Sequence, residues 1–366
     1  MAQYLIIGAG ILGASTAFHL AKAGQDVTLI DHENQGEATR AAAGIISPWL
    51  SQKRHEKLYE VIKNGAAYYP KLIEQLKEIG MTNTSYARVG SLHLHKSDEK
   101  LKKMLEDVQA RREASPEVGE VTQLTDKQVA QAVPVMSDRM GAVEIGGGGR
   151  VNGATLRHAL VQGAEYYGAT VIKGYAKLNQ TGKKVTVNED LYEPEQIIVT
   201  NGAWACELLK HCGISFPVTS TKTQIVYLNM PHEKTGEWPV VMLPNNKYIV
   251  GFDEGRIAVG AEHEVNEDFK PNIKVKSVFD ILKVAFKFAP GLEEADLIET
   301  RVGFRPQVEK QQPVFGFLPD APHLYIANGL GASGITSGPF LGAEITRQLL
   351  GETLTLDPAL YDITSL

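Results

Sequence analysis

The chain has 366 residues, with 37 Lys and Arg against 43 Asp and Glu and a formal net charge of −6. That length predicts roughly two domains of about 150 residues, each with a real core, and the mild negative charge argues against a nucleic-acid surface, which needs a basic field. Cys206 and Cys212, the only two cysteines, give neither a disulfide framework nor metal-ligand spacing, so no metal and a reducing cytoplasm are expected. No apolar run approaches the roughly 18 residues of a membrane span, and because Met1 leads straight into an apolar strand pattern no cleavable signal is expected.

Tyr4-Leu5-Ile6-Ile7 is a short apolar run, followed at once by Gly8-Ala9-Gly10-Ile11-Leu12-Gly13. In this G-x-G-x-x-G spacing Gly8 makes the tight turn out of a strand and Gly10 lets a pyrophosphate approach the backbone. Gly13 allows the next helix to pack closely on the strand. The helix is predicted from Ile11 to Ala23, with Ala14, Ala17, Leu20 and Ala21 on one face and Gly24 as its stop. Val27–Ile30 is the second strand, and Asp31 at its carboxyl end is placed to accept both hydroxyls of an adenosine ribose. Dinucleotide binding follows from the agreement of strand, turn, helix and acid.

After the polar loop His32–Gly36, the run Glu37–Pro48 is built from small residues with one hydroxyl, Thr39, and one arginine, Arg40. Small residues let a backbone press against a flat or anionic ligand, and Arg40 could neutralise a phosphate. An alanine-rich helix start with a solvated arginine is the alternative. Helices are predicted at His55–Ile79, Glu99–Arg112 and Thr125–Ala132, with a strand at Val89–His95. His93 and His95 are expected on one half-exposed strand face, and the charged stretch 96–120 on a solvated one. Met140–Ile145 is a strand, Gly146–Arg150 a flexible crossing, Leu156–Tyr167 a helix and Thr170–Ile172 a further parallel strand. Gln196–Val199 leads through Gly202 into a helix start at Trp204, where Cys206 and Cys212 are expected as buried, inert thiols.

From Pro217 to Gly303 the pattern changes to short alternating strands, at Thr223–Leu228, Val240–Leu243, Tyr248–Gly251 and Ile257–Ala261, which indicates an antiparallel sheet. Phe279–Phe288 is a helix and Leu297–Phe304 a strand. Leu324–Ala327 is a strand followed by the glycine loop Asn328–Gly334 and a helix at Thr336–Leu350. This loop again aims backbone N–H groups at an acceptor.

The N-terminal fingerprint, Asp31 and the Gly36–Pro48 segment resemble the FAD-dependent D-amino-acid oxidase superfamily, in its glycine oxidase and sarcosine oxidase branch, and the similarity runs to the last helix. The fold class this implies is mixed, α/β with α+β: a Rossmann-like FAD-binding domain and a second domain with a mostly antiparallel sheet that takes the substrate. The division expected is 1–84, 150–215 and 318–366 for FAD, and 85–149 and 216–317 for substrate. The resemblance implies cofactor contacts at Gly8, Gly10, Ile11, Leu12, Gly13, Asp31, His32, Ala38, Thr39, Arg40, Ala43, Gly44 and Ile45, through a backbone group near Lys177, and at Gly202. It adds the loop Leu330, Gly331, Ala332, Ser333, Gly334, Ile335 and Thr336.

The implied activity is oxidation of the C–N bond of a small amine or amino acid of the glycine, sarcosine or D-amino-acid type. A hydride passes to flavin N5 and the imine hydrolyses, with O2 or another acceptor taking the electrons. Arg305 stands where the family's Gly-x-Arg-Pro arginine binds the substrate carboxylate, and Tyr248 where a substrate-facing tyrosine is found. Three positions depart from the glycine oxidases: Ala332 replaces a second substrate arginine, His263 an apolar residue and Asn246 a histidine. Sarcosine-oxidase relatives attach FAD through a cysteine after the Arg305 region, and Val308–Gln312 has none, so FAD is expected to be non-covalent. Two other classes stay open, an NAD-dependent dehydrogenase and a flavoprotein subunit of an amine or amino-acid dehydrogenase complex. A homo-oligomer is possible as well.

Overall fold

Two sheets organise the chain, and a large cavity lies where they meet. The coordinates, a computed structural model, describe residues 3–50, 56–266, 268–309 and 312–365. The first sheet has six strands in the spatial order Val314–Leu318, Ala321–Asn328, Gln196–Val199, Tyr4–Ile7, Val27–Asp31 and Thr170–Lys173. The last five run parallel, and Val314–Leu318 is the antiparallel edge. Tyr4–Ile7 is buried throughout, because both faces of a parallel sheet are covered. Tyr4 and Ile6 pack with the helices Ile11–Lys22, Gly153–Tyr166 and Gly334–Leu349. Leu5 and Ile7 pack with the small sheet Lys177–Leu178, Val185–Val187 and Asp190–Tyr192.

The first and last helices cross closely because small residues line the contact. A Cβ on Gly338 would lie 2.9 Å from Ile11 Cγ2 and one on Gly342 2.5 Å from Ser15 Oγ. The Ser15 hydroxyl uses that proximity to donate to Pro339 O at 2.8 Å, across 324 residues of chain.

The second sheet has eight strands in the order Asp296–Val308, Val218–Asn229, Arg256–Asn266, Tyr248–Gly251, Val240–Met242, Ser91–His95, Gly141–Ile145 and Val121–Leu124. All neighbours are antiparallel except Val240–Met242 with Ser91–His95. One face packs on the helix Val275–Phe288 through Val226, Leu228, Ile249 and Val259. The strand expected to end at Phe304 runs on to Val308 through Pro306, which an edge strand tolerates.

Three expectations need correcting. Gly146–Arg150 is a tight crossing, not a flexible one. A Cβ on Gly147 would overlap Glu117 O and one on Gly148 would lie 2.6 Å from Ser91 N, while Gly149–Arg150 pairs with Ile45–Ile46. The buried Arg150 clamps this crossing, donating to Ser85 O, Gly236 O and Asp253. His93 is buried, not half-exposed, because its strand is internal to the sheet and its ring meets Ser47 and Ser91. Cys206 is exposed and Cys212 partly buried, so neither is the buried thiol expected. The helix predicted from His55 is found at Glu56–Glu78, and His55 lies outside the described residues, as do Lys310 and Gln311. Among the described residues no helix is long and apolar enough to cross a membrane.

Candidate active site

A cavity of about 500 Å³ runs from the carboxyl ends of Tyr4–Ile7 and Val27–Asp31 to the inner face of the eight-stranded sheet. Its first part is built by the glycine turn. Gly8 has φ +98° and a Cβ there would lie 2.5 Å from Asn201 Cα, while a Cβ on Gly13 would overlap Gly8 O. Both glycines serve packing within the protein. Gly10 differs: a Cβ there would meet only Thr39 Oγ1, at 3.5 Å. Its bare backbone relieves no clash and leaves the helix start open to the cavity, as a pyrophosphate requires.

Around this turn the loop 35–44 forms turns, not the alternative helix start. It is pinned where a Cβ on Gly36 would overlap the Phe304 ring and one on Gly44 would overlap Val151 O. Thr39, buried, accepts a hydrogen bond from Ile11 N at 2.9 Å. Asp31 Oδ1 accepts from Ala9 N at 3.1 Å, and Oδ2 is ion-paired with Arg157. Glu37 lines the same end, and burial first, then the Asp31 charge, pushes its carboxyl pKa up.

Of the residues expected to touch the cofactor, Gly8, Gly10, Ile11, Leu12, Asp31, Ala38, Thr39, Ala43, Gly44, Ile45, Gly202 and the whole run Leu330–Thr336 line the cavity. Gly13 sits behind it. His32, Arg40 and Lys177 are not brought to it. His32 is exposed and packs edge-on against Tyr175, and Arg40 is exposed with its carbonyl accepting from Arg301. Lys177 lies in the three-stranded sheet, paired with Thr186. Sequence reasoning missed Arg157 and Asn201. Asn201 lines the cavity, and its buried Oδ1 has no hydrogen-bond partner among the described residues.

The far end of the cavity is one row across the eight-stranded sheet. Thr223 pairs with His263 on one side and Gly303 on the other, Arg305 lies two residues on, opposite Thr221, and Tyr248 pairs with Gly260 and Met242. Residues paired directly or spaced by two share a face, and the bulge at Ala261 brings His263, three residues after Gly260, onto the face of Tyr248, so Arg305, His263, Tyr248 and Met242 all reach the cavity. Arg305 has no carboxylate partner among the described residues, and burial works against its charge. The Tyr248 hydroxyl is buried without a partner, and burial pushes its pKa up to about 12, so it stays a neutral phenol. A cavity with a charged, unpaired guanidinium and two orphaned polar atoms is made for a polar ligand. The long arm from Asp31, past the open Gly10 backbone, fits a dinucleotide.

The model of the FAD dependent oxidoreductase family, DAO, matches residues 3–348, and the chain belongs to that family. It is therefore an FAD-dependent oxidoreductase, and the nicotinamide alternative falls away. The chain is 47% identical to the uncharacterized oxidoreductase YurR of Bacillus subtilis, over 99% of this chain and 98% of that one. It is 25% identical to the glycine oxidase of Geobacillus kaustophilus, over 98% and 96%. Among solved structures, iminodiacetate oxidase from Chelativorans sp. BNC1 superposes with a TM-score of 0.94 at 37% identity, covering 98% of each chain.

Proposed function

We propose that the protein oxidises the C–N bond of a small amine that carries a carboxylate, in the manner of amino acids and their N-substituted derivatives. The observation that carries this reading is Arg305, a guanidinium set in the cavity wall with no carboxylate of the protein to neutralise it. Leaving such a charge half-buried and unpaired is unfavourable, and a substrate carboxylate matches its planar fork. The likeness to glycine oxidase and iminodiacetate oxidase supports the same class, since both names denote oxidation of amines bearing carboxylates.

Bound FAD would supply the acceptor for the hydride. In this reading the protein holds FAD without a covalent bond, with Asp31 on the ribose, the Gly10 backbone at the pyrophosphate, and Ala43–Ile45 and Leu330–Thr336 along the ring. Arg305 orients the substrate, Tyr248 offers its neutral hydroxyl to it, and the apolar cavity wall limits water around the reacting carbon. The division proposed is 1–84, 150–215 and 318–366 for the cofactor, and 85–149 and 216–317 for the substrate. Anaerobic mixing of the yellow protein with a panel of amines and amino acids tests the reading. Bleaching of the flavin by carboxylate-bearing amines is expected, and bleaching by none, or by simple alkylamines alone, sinks it. Reoxidation by O2 against a dye then identifies the acceptor class.

A further inference from the structure

The Arg305 end of the cavity holds more hydrogen-bonding capacity than one carboxylate can use. His263 and Asn246 both line it. The His263 ring is 3.0 Å from Thr223 Oγ1 through Nδ1, and Nε2 has no partner among the described residues. With the Thr223 hydroxyl donating to Nδ1, Nε2 carries the proton and is a free donor. Asn246 sits at the cavity mouth in a left-handed turn, φ 59°, directly after Asn245 at φ 65°. Its side-chain amide also has no partner among the described residues.

The field at this point is positive. His263 as a whole is exposed, but loss of water around its ring, and then the charges of Arg305 and Lys247, oppose its protonation, with Glu262 acting the other way. A potential that disfavours an imidazolium favours an anion in the same place. Lys247 is itself tied to Glu262 and to Ala261 O, so it contributes field and not a contact. Across the cavity, the small, exposed Ala332 leaves space free of a competing side chain.

We propose that His263 and Asn246 form a second acceptor-binding subsite beside Arg305, so that the site selects small amines carrying two carboxylates. One carboxylate sits on Arg305, an assignment that rests on the function proposed above, and the other accepts from His263 Nε2–H and the Asn246 amide. Neutral donors suit this second position, because an anion there needs no further full charge once Arg305 and Lys247 supply the field.

The test uses the FAD-loaded protein and two unreactive ligands, diglycolate and methoxyacetate, which share an ether backbone and differ in one carboxylate. Neither has an amine to oxidise, so affinity is read from perturbation of the flavin absorbance. The wild-type protein is expected to bind diglycolate about ten- to a hundredfold more tightly. His263→Leu and Asn246→Gly, the latter keeping the left-handed backbone accessible, are each expected to remove about tenfold or more of that preference, with methoxyacetate affinity unchanged. Arg305→Met is expected to weaken both ligands. Equal wild-type affinity for the two ligands overturns the subsite even when Arg305→Met weakens both. So does an equal loss of both ligands in His263→Leu at normal FAD content. No effect of Arg305→Met on either ligand overturns the underlying reading of Arg305 instead.

Discussion

Arg157 holds Asp31 in place from a helix that begins more than a hundred residues later. Its Nε donates to Ala9 O at 2.5 Å and its Nη2 pairs with Asp31 Oδ2, while Ala9 N donates back to Asp31 Oδ1. The carboxylate at the strand end is thus held by contacts within the protein itself.

Asp31→Ala should therefore weaken FAD binding by roughly ten- to a hundredfold, the loss of about 1.5–3 kcal/mol of charge-assisted hydrogen bonding. Arg157→Met should weaken it less, and the double variant should lose less than the two single effects combined, because both act through one carboxylate. Titration of apoprotein with FAD, followed by fluorescence quenching, checks this. Unchanged affinity in Asp31→Ala would mean that it is not a ribose ligand.

The glycines of the turn should separate by role. Gly13→Ala drives a methyl into Gly8 O and should cost about 3 kcal/mol or more of stability, seen as a lower melting temperature of the apoprotein. Gly10→Ala meets no protein backbone and should fold normally but retain little FAD. An apoprotein equally destabilised by both changes would contradict this division.

Arg305→Met should lower kcat/KM for a carboxylate-bearing amine by roughly thirty- to several-thousandfold, about 2–5 kcal/mol of transition-state binding. The same change should hardly affect an amine lacking the carboxylate, and FAD content should stay near normal. Matched substrate pairs in anaerobic flavin reduction read the difference. Equal losses for both members would make Arg305 a structural residue.

Acid precipitation of the pure protein should release its yellow colour into the supernatant, because no cysteine occurs between Val308 and Gln312. Colour retained in the washed pellet would show a covalent link elsewhere.

His93 predicts an acid sensitivity. Burial lowers its pKa from 6.5 to about 4. Between those values the unfolded chain binds more protons than the folded one, so stability falls as pH drops from about 6.5 to about 4. The full loss amounts to about 3 kcal/mol for this one ring. Melting temperatures of wild type and His93→Gln across pH 4–7 should diverge, the variant showing the flatter profile. Parallel profiles would rule out His93 as a source of the sensitivity.

The glycine turn and acid that line the cavity were legible because strand, turn, helix and acid are local signals within about 30 residues, and the glycine loop before the last helix is read from the same kind of signal. Arg305 and Tyr248 were placed by resemblance, and the register of four strands explains why they face one cavity. Arg157, Asn201 and the burial of His93 were not legible, since each depends on which distant segment packs beside it. Arg157 lies one turn into a helix whose sequence carries no mark of Asp31, and the His93 strand reads as half-exposed until its two neighbours are known. The exposed Arg40 shows the converse: an arginine in a ligand-binding loop reads as a phosphate partner until the loop's turn directs it elsewhere.

The contact of Ser15 with Pro339 gives the chain a timetable. The fingerprint leaves the ribosome first, but the wall formed by Leu330–Thr336 and the helix that seats it are made last. The helix Gly153–Tyr166 joins the first helix in one buried cluster before mid-chain, but the contact made by Gly338 and Gly342 with Ile11 and Ser15 waits for the last helix. A chain cut short before Gly334 would thus carry the intact glycine fingerprint but lack Gly334, Ile335 and Thr336 of the cavity wall and the helix that follows them.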